Sequence, residues 1–335
     1  MKIEIKTIDQ IDRNKWNDLL ALSSTASYFQ SPECYDFYQS LSFLMPFGYG
    51  VSENGELKGL VCGYIISNGG KIKQYFSRRA VIQGGLLLAK DVSTEAVTEL
   101  LGSLRESLAQ KVIYIEIRNC CDFENYKTAF LQNGFTYHSH LNYLIDTSKP
   151  ELVKNRYSES KVRQVRKAGE QGVVCELTKN QVDIDDFYKI LSDLYKRKVK
   201  KPLFPQEFFN KFVGQPNCYL FVVKKDTRVI GGIACAALPS KAVYEWFVCG
   251  DTKNYNHLYP SVAATHQGIE FAADNGFRYF DFMGAGKPDV DYGVRDFKEK
   301  FGGELYEHGR FRYVSNKKLF NIGKFVVEKL KILKF

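Results

Sequence analysis

The sequence predicts a mixed α/β protein made of two similar halves, and three observations support this fold class. The chain has 335 residues, a length typical of two domains. Hydrophobic residues make up 44% of the chain and charged residues 25%, which is typical of a globular protein and excludes the disordered and collagen-like classes. Each half also contains the same order of predicted elements, as expected after an internal duplication.

The first repeated element is a β-hairpin, predicted at 50–66 and again at 218–238. In both hairpins the second strand is an alternating apolar segment that follows a turn, which lies at Gly55 in the first half and at Thr227 in the second. The two segments lie roughly 170 residues apart. Antiparallel strands followed by a helix and a strand indicate mixed α/β layers and argue against a doubly wound nucleotide-binding fold.

The next elements repeat with nearly the same offset. They are a further strand at 80–88 and 241–249, an amphipathic helix at 94–110 and 260–275, and an apolar strand at 112–118 and 277–283. In the second helix, small alanines beside Val262 and Ile269 favour close packing. Gly134 and Gly302 then precede one more strand in each half.

A proline at position 150 ends the predicted strand 141–146 and sets the domain boundary. We therefore expect one domain over residues 1–147 and a second over 148–316. Residues 157–169 read as a capped, basic helix that opens the second domain. The tail 317–335 has apolar residues at helical spacing among lysines, so one face of this helix must be buried. We expect it to pack back on the first domain, with adsorption to an anionic bilayer as the alternative.

The net charge and the cysteine content indicate the compartment in which the protein works and the kind of partner that it binds. The 47 basic and 38 acidic residues give a net charge of +9, which suits an anionic partner without identifying one. The first residues lack the apolar run of a secretory signal, and no stretch is long enough to cross a membrane. Eight scattered cysteines without a CxxC pair indicate reduced thiols, no structural zinc and a cytoplasmic location.

Several motifs together resemble one family. They are Phe29-Gln-Ser-Pro-Glu33, the basic helix 161–172, Asp281-Phe-Met-Gly-Ala-Gly286, Asp291-Tyr-Gly-Val-Arg-Asp-Phe-Lys298 and Lys300-Phe-Gly-Gly-Glu304. This set is similar to the signature of the FemABX-like aminoacyltransferases. The resemblance implies two GNAT-type acyltransferase domains in tandem, which fits the duplication. It also implies transfer of an aminoacyl group from aminoacyl-tRNA, a co-substrate, to an amine of a peptidoglycan precursor, without a bound cofactor or metal.

The sequence departs from the family pattern in two places. Cys34 stands where members often have a tryptophan, and Tyr38 lies near the position of a basic residue that holds a substrate diphosphate. The chain also lacks the long charged helical hairpin that some members carry. The resemblance therefore supports an envelope amine as the acceptor without specifying a muramyl nucleotide.

Two residues are candidates for catalysis. Lys298 follows the family's F-K pattern, and a fixed cation can stabilise the tetrahedral oxyanion of acyl transfer by about 3 kcal/mol. The structural alternative is a surface lysine at the end of a helix. Glu245 lies on the strand that leads to the acyl site and could orient the incoming amine, or it could be a strand carboxylate paired with a nearby base.

The remaining candidates would bind substrate. Arg163 and Arg166 share a helix face, next to Lys167, and suit a phosphate or diphosphate, although a solvated basic face explains them equally well. The basic run 196–201 could contact the backbone of tRNA or be a solvated linker. The other substrate-binding candidates are Tyr244, Tyr259, Tyr292 and Arg295.

The segment before the second long helix bears on the acyl donor. In coenzyme A-dependent relatives of this fold, a glycine-rich loop there holds the pyrophosphate through backbone N–H groups. Here the segment 256–261 contains no glycine, which argues against acetyl-coenzyme A. Two alternatives to aminoacyl transfer stay open: an N-acyltransferase that uses acyl-coenzyme A or acyl carrier protein for envelope polysaccharide synthesis, and a non-catalytic module that binds tRNA or the inner membrane surface.

Overall fold

The computed structural model describes residues 2–67 and 77–332. The chain divides into two compact units. Unit 1 comprises Met1–Ser139 together with His308–Phe335, and unit 2 comprises His140–Glu307.

The elements are as follows. Residues 2–139 contain β1 Ile3–Thr7, α1 Arg13–Leu22, α2 Pro32–Ser40, β2 Met45–Glu53, β3 Glu56–Ile66, β4 Arg79–Gly84, β5 Leu87–Leu88, α3 Thr94–Leu108, β6 Tyr114–Asn119, α4 Lys127–Gln132 and β7 Thr136–His138. Residues 140–307 contain β8 Leu141–Asp146, α5 Pro150–Val153, α6 Glu159–Glu170, β9 Val173–Leu177, α7 Gln181–Leu194, α8 Gln206–Phe212, β10 Cys218–Lys225, β11 Arg228–Leu238, β12 Ala242–Gly250, α9 Pro260–Asp274, β13 Tyr279–Asp281, α10 Gly293–Glu299 and β14 Glu304–Glu307. Residues 308–332 contain β15 Arg310–Val314 and α11 Lys317–Ile332.

The two sheets have the same topology. In unit 1 the strand order is β1-β2-β3-β4-β6-β15-β7, with the short β5 paired to β3 as an additional strand, and in unit 2 it is β9-β10-β11-β12-β13-β8-β14. Among the described strands, each sheet contains one parallel pair, β4 with β6 and β12 with β13, and the other pairs are antiparallel. The predicted mixed α/β class and the internal duplication are confirmed.

The two sequential halves of the chain exchange one strand. β8 follows β7 in the chain, yet it pairs in the sheet of unit 2, between β13 and β14. In return β15 follows β14 in the chain and pairs in the sheet of unit 1, between β6 and β7. The predicted boundaries at residues 147 and 316 therefore differ from the observed ones, because a local strand pattern does not reveal which sheet the strand joins.

Helix α3 covers the sheet of unit 1 and begins at a capped N-terminus. The Ser93 side chain accepts a hydrogen bond from the Ala96 backbone N–H, which satisfies one of the free donors of the first turn. The helix buries an apolar face that consists of Ala96, Val97, Leu100, Leu101, Leu104 and Leu108. Its spacing is that of an amphipathic helix on a sheet.

Two helices cover opposite faces of the sheet in unit 2. Phe187 of α7 lies against Gly232 of β11, and Gly268 of α9 lies against the next residue, Ile233. Since consecutive strand residues face opposite sides, α7 and α9 enclose the strand between them. A Cβ on Gly268 would lie 2.9 Å from the Phe280 ring, so this glycine sets how closely α9 approaches β13.

The tail forms the predicted helix, α11, up to residue 332, and residues 333–335 of that prediction lie outside the described residues. The Phe320 ring packs edge-on against Tyr114 of β6, with 5.4 Å between ring centroids. Ile322 and Phe325, in contrast, are 51% and 58% exposed. The start of the helix therefore packs on unit 1, while two large apolar side chains farther along it face solvent.

We expect Gly268→Ala to destabilise unit 2 by about 1–3 kcal/mol, because the added methyl group overlaps Phe280 and Ile233. Gly169→Ala is the matched control, since a Cβ at Gly169 of α6 meets no atom within 4 Å. Alanine at that helical position should stabilise the protein by about 0.5–1 kcal/mol. Urea unfolding measures both free energies, and equal effects of the two substitutions would contradict the tight packing of α9.

Candidate active site

The parallel strands β12 and β13 of unit 2 separate after three paired positions, and we call the gap between them the cleft. They pair only from Ala242 with Tyr279 to Tyr244 with Asp281. Beyond this point β12 continues to Gly250, and a β-bulge at Trp246 shifts its register against β11. The chain after β13 instead turns away through Met283, whose φ of 60° is uncommon for a residue with a side chain. Backbone groups on both sides of the gap are thus left for other partners.

Lys298 of α10 fills this gap. Its side chain is 9% exposed, and its Nζ donates hydrogen bonds to the backbone oxygens of Phe282 at 2.5 Å and Gly284 at 2.9 Å. The Glu245 Oε1 atom lies 3.5 Å from the same Nζ. Burial lowers the pKa of Lys298, while the negative charges of Glu245 and Asp281 oppose that shift. The predicted alternative, a surface lysine, is therefore wrong.

Glu245 of β12 is the carboxylate partner of this ammonium group. Its side chain is 2% exposed, and its Oε2 accepts a hydrogen bond from Thr265 Oγ1 of α9 at 3.2 Å. Burial raises the pKa of Glu245, and the nearby Lys298 opposes this shift. The two residues form a buried ion pair, in which removal of one charge leaves the other without compensation.

A second buried carboxyl, Asp281, holds the turn that supplies the carbonyl groups. Its Oδ1 accepts hydrogen bonds from Asn142 Nδ2 at 2.7 Å and from the Met283 backbone N–H at 2.6 Å. The Asn142 Oδ1 in turn accepts from the backbone N–H of Gly284 at 2.7 Å. Both side chains therefore fix the backbone whose oxygens contact Lys298.

Asn142 was not among the residues predicted from the sequence. It comes from β8, the strand that the chain places after the first half, and it meets Asp281 across 139 residues. No local motif surrounds it that could have marked it. Asp281 itself belongs to the D-F-M-G segment that carried the family resemblance. The sequence therefore marked its position, but it did not predict that its carboxyl group holds the turn.

Arg295 fixes the loop that follows. Its guanidinium donates to the backbone oxygens of Ala285 at 3.0 Å, Pro288 at 3.3 Å and Val290 at 3.1 Å, and also to that of Lys287. With four carbonyl partners, Arg295 holds the loop in place, whereas the sequence predicted that it contacts substrate. The adjacent candidate Tyr292 is 41% exposed, and its ring lies beside Gly286 in the same loop.

The other predicted substrate residues lie in different surroundings. Tyr244 is 3% exposed and sits opposite Asp281 in the parallel pair. Tyr259 has a left-handed backbone (φ 53°) and caps α9, whose first residue is Pro260. Arg163 and Arg166 are exposed on α6, and the Arg166 Nε lies 3.5 Å from Glu170.

The inner face of α6 carries a cation that the sequence did not single out. Lys161 is 4% exposed, and its Nζ lies 3.8 Å from the centre of the Phe297 ring and 4.8 Å from that of Phe301. Burial, with a smaller contribution from the Lys300 charge, lowers the pKa of Lys161 to about 8. Lys161 therefore ties α6 to the aromatic residues that flank Lys298, through cation–π contacts.

The basic run 196–201 is exposed except for Val199, which is half-buried. Residues Tyr195–Val199 form a π-helical turn, and Lys200 ends it with a left-handed backbone. Beside this turn lies a cavity of about 270 Å³, lined by residues that include Lys189, Arg197, Lys198, Asp251 and Lys253. The cavity adjoins the end of β12, the strand that borders the cleft.

Among the described residues, no group of three or more His, Cys, Asp or Glu side chains is arranged to hold a metal ion. No helix in residues 2–67 or 77–332 is long and apolar enough to cross a membrane.

We expect Asp281→Asn to change how stability depends on pH. Burial raises the pKa of Asp281 from its usual 3.8 to about 6. Its stabilising contribution is thus fully present below pH 4 and is lost as the pH rises through 6, a change of about 3 kcal/mol. Asparagine keeps an acceptor oxygen but carries no charge, so the variant should lack this loss.

The measurement is the free energy of urea unfolding between pH 4 and pH 7, taken as the difference between variant and wild type. Asp289→Asn is the control, because Asp289 is exposed in the neighbouring loop. If the difference for Asp281→Asn stayed constant over this range, the buried carboxyl would not titrate as described.

Comparison with known proteins agrees with this architecture. Residues 156–299, which include Glu245, Asp281 and Lys298, match the family model described as an acetyltransferase (GNAT) domain. A search of curated proteins gave no significant match.

Solved structures with the same fold cover nearly the whole chain. FemX is 16% identical with a TM-score of 0.70, covering 96% of this chain and 99% of its own. A tandem GNAT protein from the clavulanic acid biosynthesis pathway is 11% identical with a TM-score of 0.61, covering 94% of this chain and 99% of its own. The C-terminal domain of a putative lysylphosphatidylglycerol synthetase from Agrobacterium fabrum is 12% identical with a TM-score of 0.59, covering 94% and 95%.

These matches concern the fold, and they agree with the duplication seen in the two sheets. Residues 156–299 are similar to an acetyltransferase (GNAT) domain, and the fold of two GNAT-like units in tandem that the resemblance to FemABX-like proteins implied is confirmed.

Proposed function

We propose that the protein transfers an aminoacyl group from aminoacyl-tRNA to an amine of a peptidoglycan or other cell-envelope precursor, at the cytoplasmic side of the membrane. The observation that carries this proposal is the buried Lys298 at the point where β12 and β13 separate. The name of the Agrobacterium fabrum relative, a lysylphosphatidylglycerol synthetase, supports an aminoacyl donor within this fold.

In the proposed reaction the amine nitrogen attacks the carbonyl carbon of the aminoacyl ester. A C–N bond forms, the carbonyl oxygen becomes an oxyanion, and the C–O bond to the ribose then breaks. The amine loses a proton and the leaving ribose oxygen gains one. Lys298 stabilises the oxyanion. Two N–H groups of its ammonium bind the Phe282 and Gly284 oxygens, and the third, which faces Glu245 at 3.5 Å, exchanges this longer contact for the oxyanion in the proposed step.

Glu245 acts in this proposal mainly as a positioning residue. At 3.5 Å from Nζ, it is the most distant of the three acceptors around Lys298. Its charge favours the protonated lysine in a site where burial lowers the lysine pKa. It could also orient the incoming amine, as the sequence suggested.

The start of α9 supports aminoacyl-tRNA over coenzyme A as the donor. Pro260 is the first residue of the helix and has no N–H, and Tyr259 before it lacks a capping hydrogen bond from its side chain. A pyrophosphate at this helix end would find fewer backbone donors than a glycine-rich loop offers. We assign tRNA-phosphate contacts to the exposed Arg163, Arg166 and basic run 196–201, and substrate contacts to Tyr244, Tyr259 and Tyr292.

We expect Lys298→Met to reduce aminoacyl transfer by about 10²-fold or more, because it removes the charge that stabilises the oxyanion. Lys300→Met is the matched control, since Lys300 is exposed two residues away, and it should keep activity within about twofold of wild type. Single-turnover transfer of labelled amino acid measures both.

The buried ion pair complicates this test, because Lys298→Met leaves Glu245 without its cation and is expected to cost about 3–5 kcal/mol of stability. The double variant Glu245→Gln with Lys298→Met removes both charges and should regain most of that stability. It should still be inactive. A stable double variant with wild-type activity would rule out the oxyanion role.

The donor is tested by offering aminoacyl-tRNA and acetyl-coenzyme A separately to the purified protein with an envelope amine. Activity with acetyl-coenzyme A alone would replace aminoacyl transfer with the N-acyltransferase alternative. A protein that binds tRNA without any transfer would support the non-catalytic alternative.

Helix α11 supports action near the inner membrane surface. Its exposed Ile322 and Phe325 lie among Lys317, Lys318 and Lys324, a combination that suits an anionic interface. Ile322→Glu with Phe325→Glu should weaken binding to phosphatidylglycerol vesicles by about tenfold or more and leave the melting temperature unchanged. Phosphatidylcholine vesicles are the control. A lower melting temperature with no vesicle binding by the wild type would favour packing of the tail alone.

A further inference from the structure

The cleft of unit 2 has no counterpart in the described part of unit 1. The parallel strands β4 and β6 remain paired over six positions, from Arg79 with Tyr114 to Gly84 with Asn119. The corresponding strands of unit 2 pair over three positions. The duplicated unit therefore keeps the sheet but not the opening that holds the acyl-transfer candidate.

A buried acid nevertheless occupies the same place in both sheets. Glu116 is the third residue of β6, as Asp281 is the third residue of β13, and they are 5% and 2% exposed. Their surroundings differ in charge. Asp281 accepts hydrogen bonds from an amide and a backbone N–H, whereas Glu116 is surrounded by arginines.

Three arginines converge on Glu116, and we call this group the arginine face. The Arg118 Nη2 atom lies 3.3 Å from Glu116 Oε2. The Arg310 Nη1 and Arg312 Nη2 atoms lie 3.3 and 3.4 Å from Glu116 Oε1. The register of β6 and β15 pairs Arg118 with Arg310 and Glu116 with Arg312. All four side chains thus extend from one side of the sheet, opposite the apolar core residues that alternate with them.

The arginine face carries more positive charge than its acid balances. Three guanidinium groups and one carboxylate leave two positive charges within a single cluster. Burial, followed by repulsion from Arg118, lowers the pKa of Arg310 to about 10. Burial alone would raise the pKa of Glu116, but the three arginines hold it well below its usual range.

Two arginines of this face also have a hydrogen-bond donor without an acceptor among the described residues. The Nε atoms of Arg118 and Arg312 are buried and have no hydrogen-bond partner among the described residues. The three arginine side chains are 33%, 26% and 27% exposed, so each is accessible to solvent in part. A group with several acceptor oxygens and two negative charges would complement this cluster.

We propose that the arginine face of unit 1 binds the phosphate dianion of a small phosphorylated ligand. The dianion lies on the solvent side of the three guanidinium groups and accepts hydrogen bonds from their outer N–H groups. Planar guanidinium forks match the oxygens of a phosphate, and the two charges of the dianion balance the excess of the cluster. Unit 1 thereby serves as an anion-binding copy of the fold, in place of a second acyl-transfer site.

The test is calorimetric titration of the full chain with inorganic phosphate at constant ionic strength. We expect binding to the wild type and a loss of about tenfold or more in affinity for Arg118→Gln with Arg312→Gln. Arg13→Gln is the matched control, because Arg13 is an exposed arginine of unit 1 that pairs with Asp36. Absence of binding to the wild type, or equal affinity in the double variant, would overturn the proposal.

A second variant covers the case in which loss of two arginines unfolds unit 1. Glu116→Gln keeps all three guanidinium groups and removes the competing carboxylate, so phosphate should bind several-fold more tightly. Unchanged or weaker binding contradicts the proposal. Glu245→Gln with Lys298→Met should leave phosphate affinity unchanged, so the outcome is independent of aminoacyl transfer.

Two further binding experiments distinguish a soluble phosphorylated compound from a lipid headgroup as the source of the phosphate. A soluble phosphate monoester and vesicles that contain phosphatidic acid are compared, each against the Arg118→Gln with Arg312→Gln variant. Binding of either probe that depends on these arginines supports the site and names its source. Vesicle binding that persists in the variant, with no binding of inorganic phosphate, is the result that excludes it.

Discussion

The buried ammonium group of Lys298 is the constraint around which the second unit is arranged. A cation out of contact with water needs acceptors on several sides, and the gap between β12 and β13 supplies them. Two acceptors are backbone oxygens, so the turn after β13 must hold one conformation. Asp281, Asn142 and Arg295 each bind that backbone and hold it in place. The polar residues of the cleft thus form one connected system, with a lysine at its centre.

This arrangement explains why two residues of the motifs that carried the resemblance contact the backbone around Lys298. Arg295 and Asp281 stand in the motifs that carried the resemblance, yet both are engaged with backbone atoms. Their contribution is geometric: they set the distance and direction of the carbonyl groups around Lys298. Preorganised surroundings of this kind allow a single side chain to stabilise a developing charge without rearrangement.

Much of the fold could be predicted from the sequence, because hairpins, amphipathic helices and apolar strands are local patterns. The positions of Lys298 and Glu245 also followed from motif and strand assignments, although their mutual contact did not. Asn142 could not be predicted, since it reaches Asp281 only through the exchange of β8 into the second sheet. The arginine face depends on the same exchange, because Arg310 and Arg312 lie 194 and 196 residues from Glu116. Sequence patterns report neighbours along the chain, and both clusters are assembled from strands that are distant in it.

The exchange of β15 has a consequence for synthesis on the ribosome. The sheet of unit 1 lacks an interior strand until residue 314 has been made, since β15 inserts between β6 and β7. Until then β6 presents an unpaired edge and its apolar face lacks Phe311, which stacks on Phe130. Contacts between residues so distant in the chain form slowly, so the edge of β6 stays open until β15 is made, and an unpaired strand edge of this kind favours aggregation.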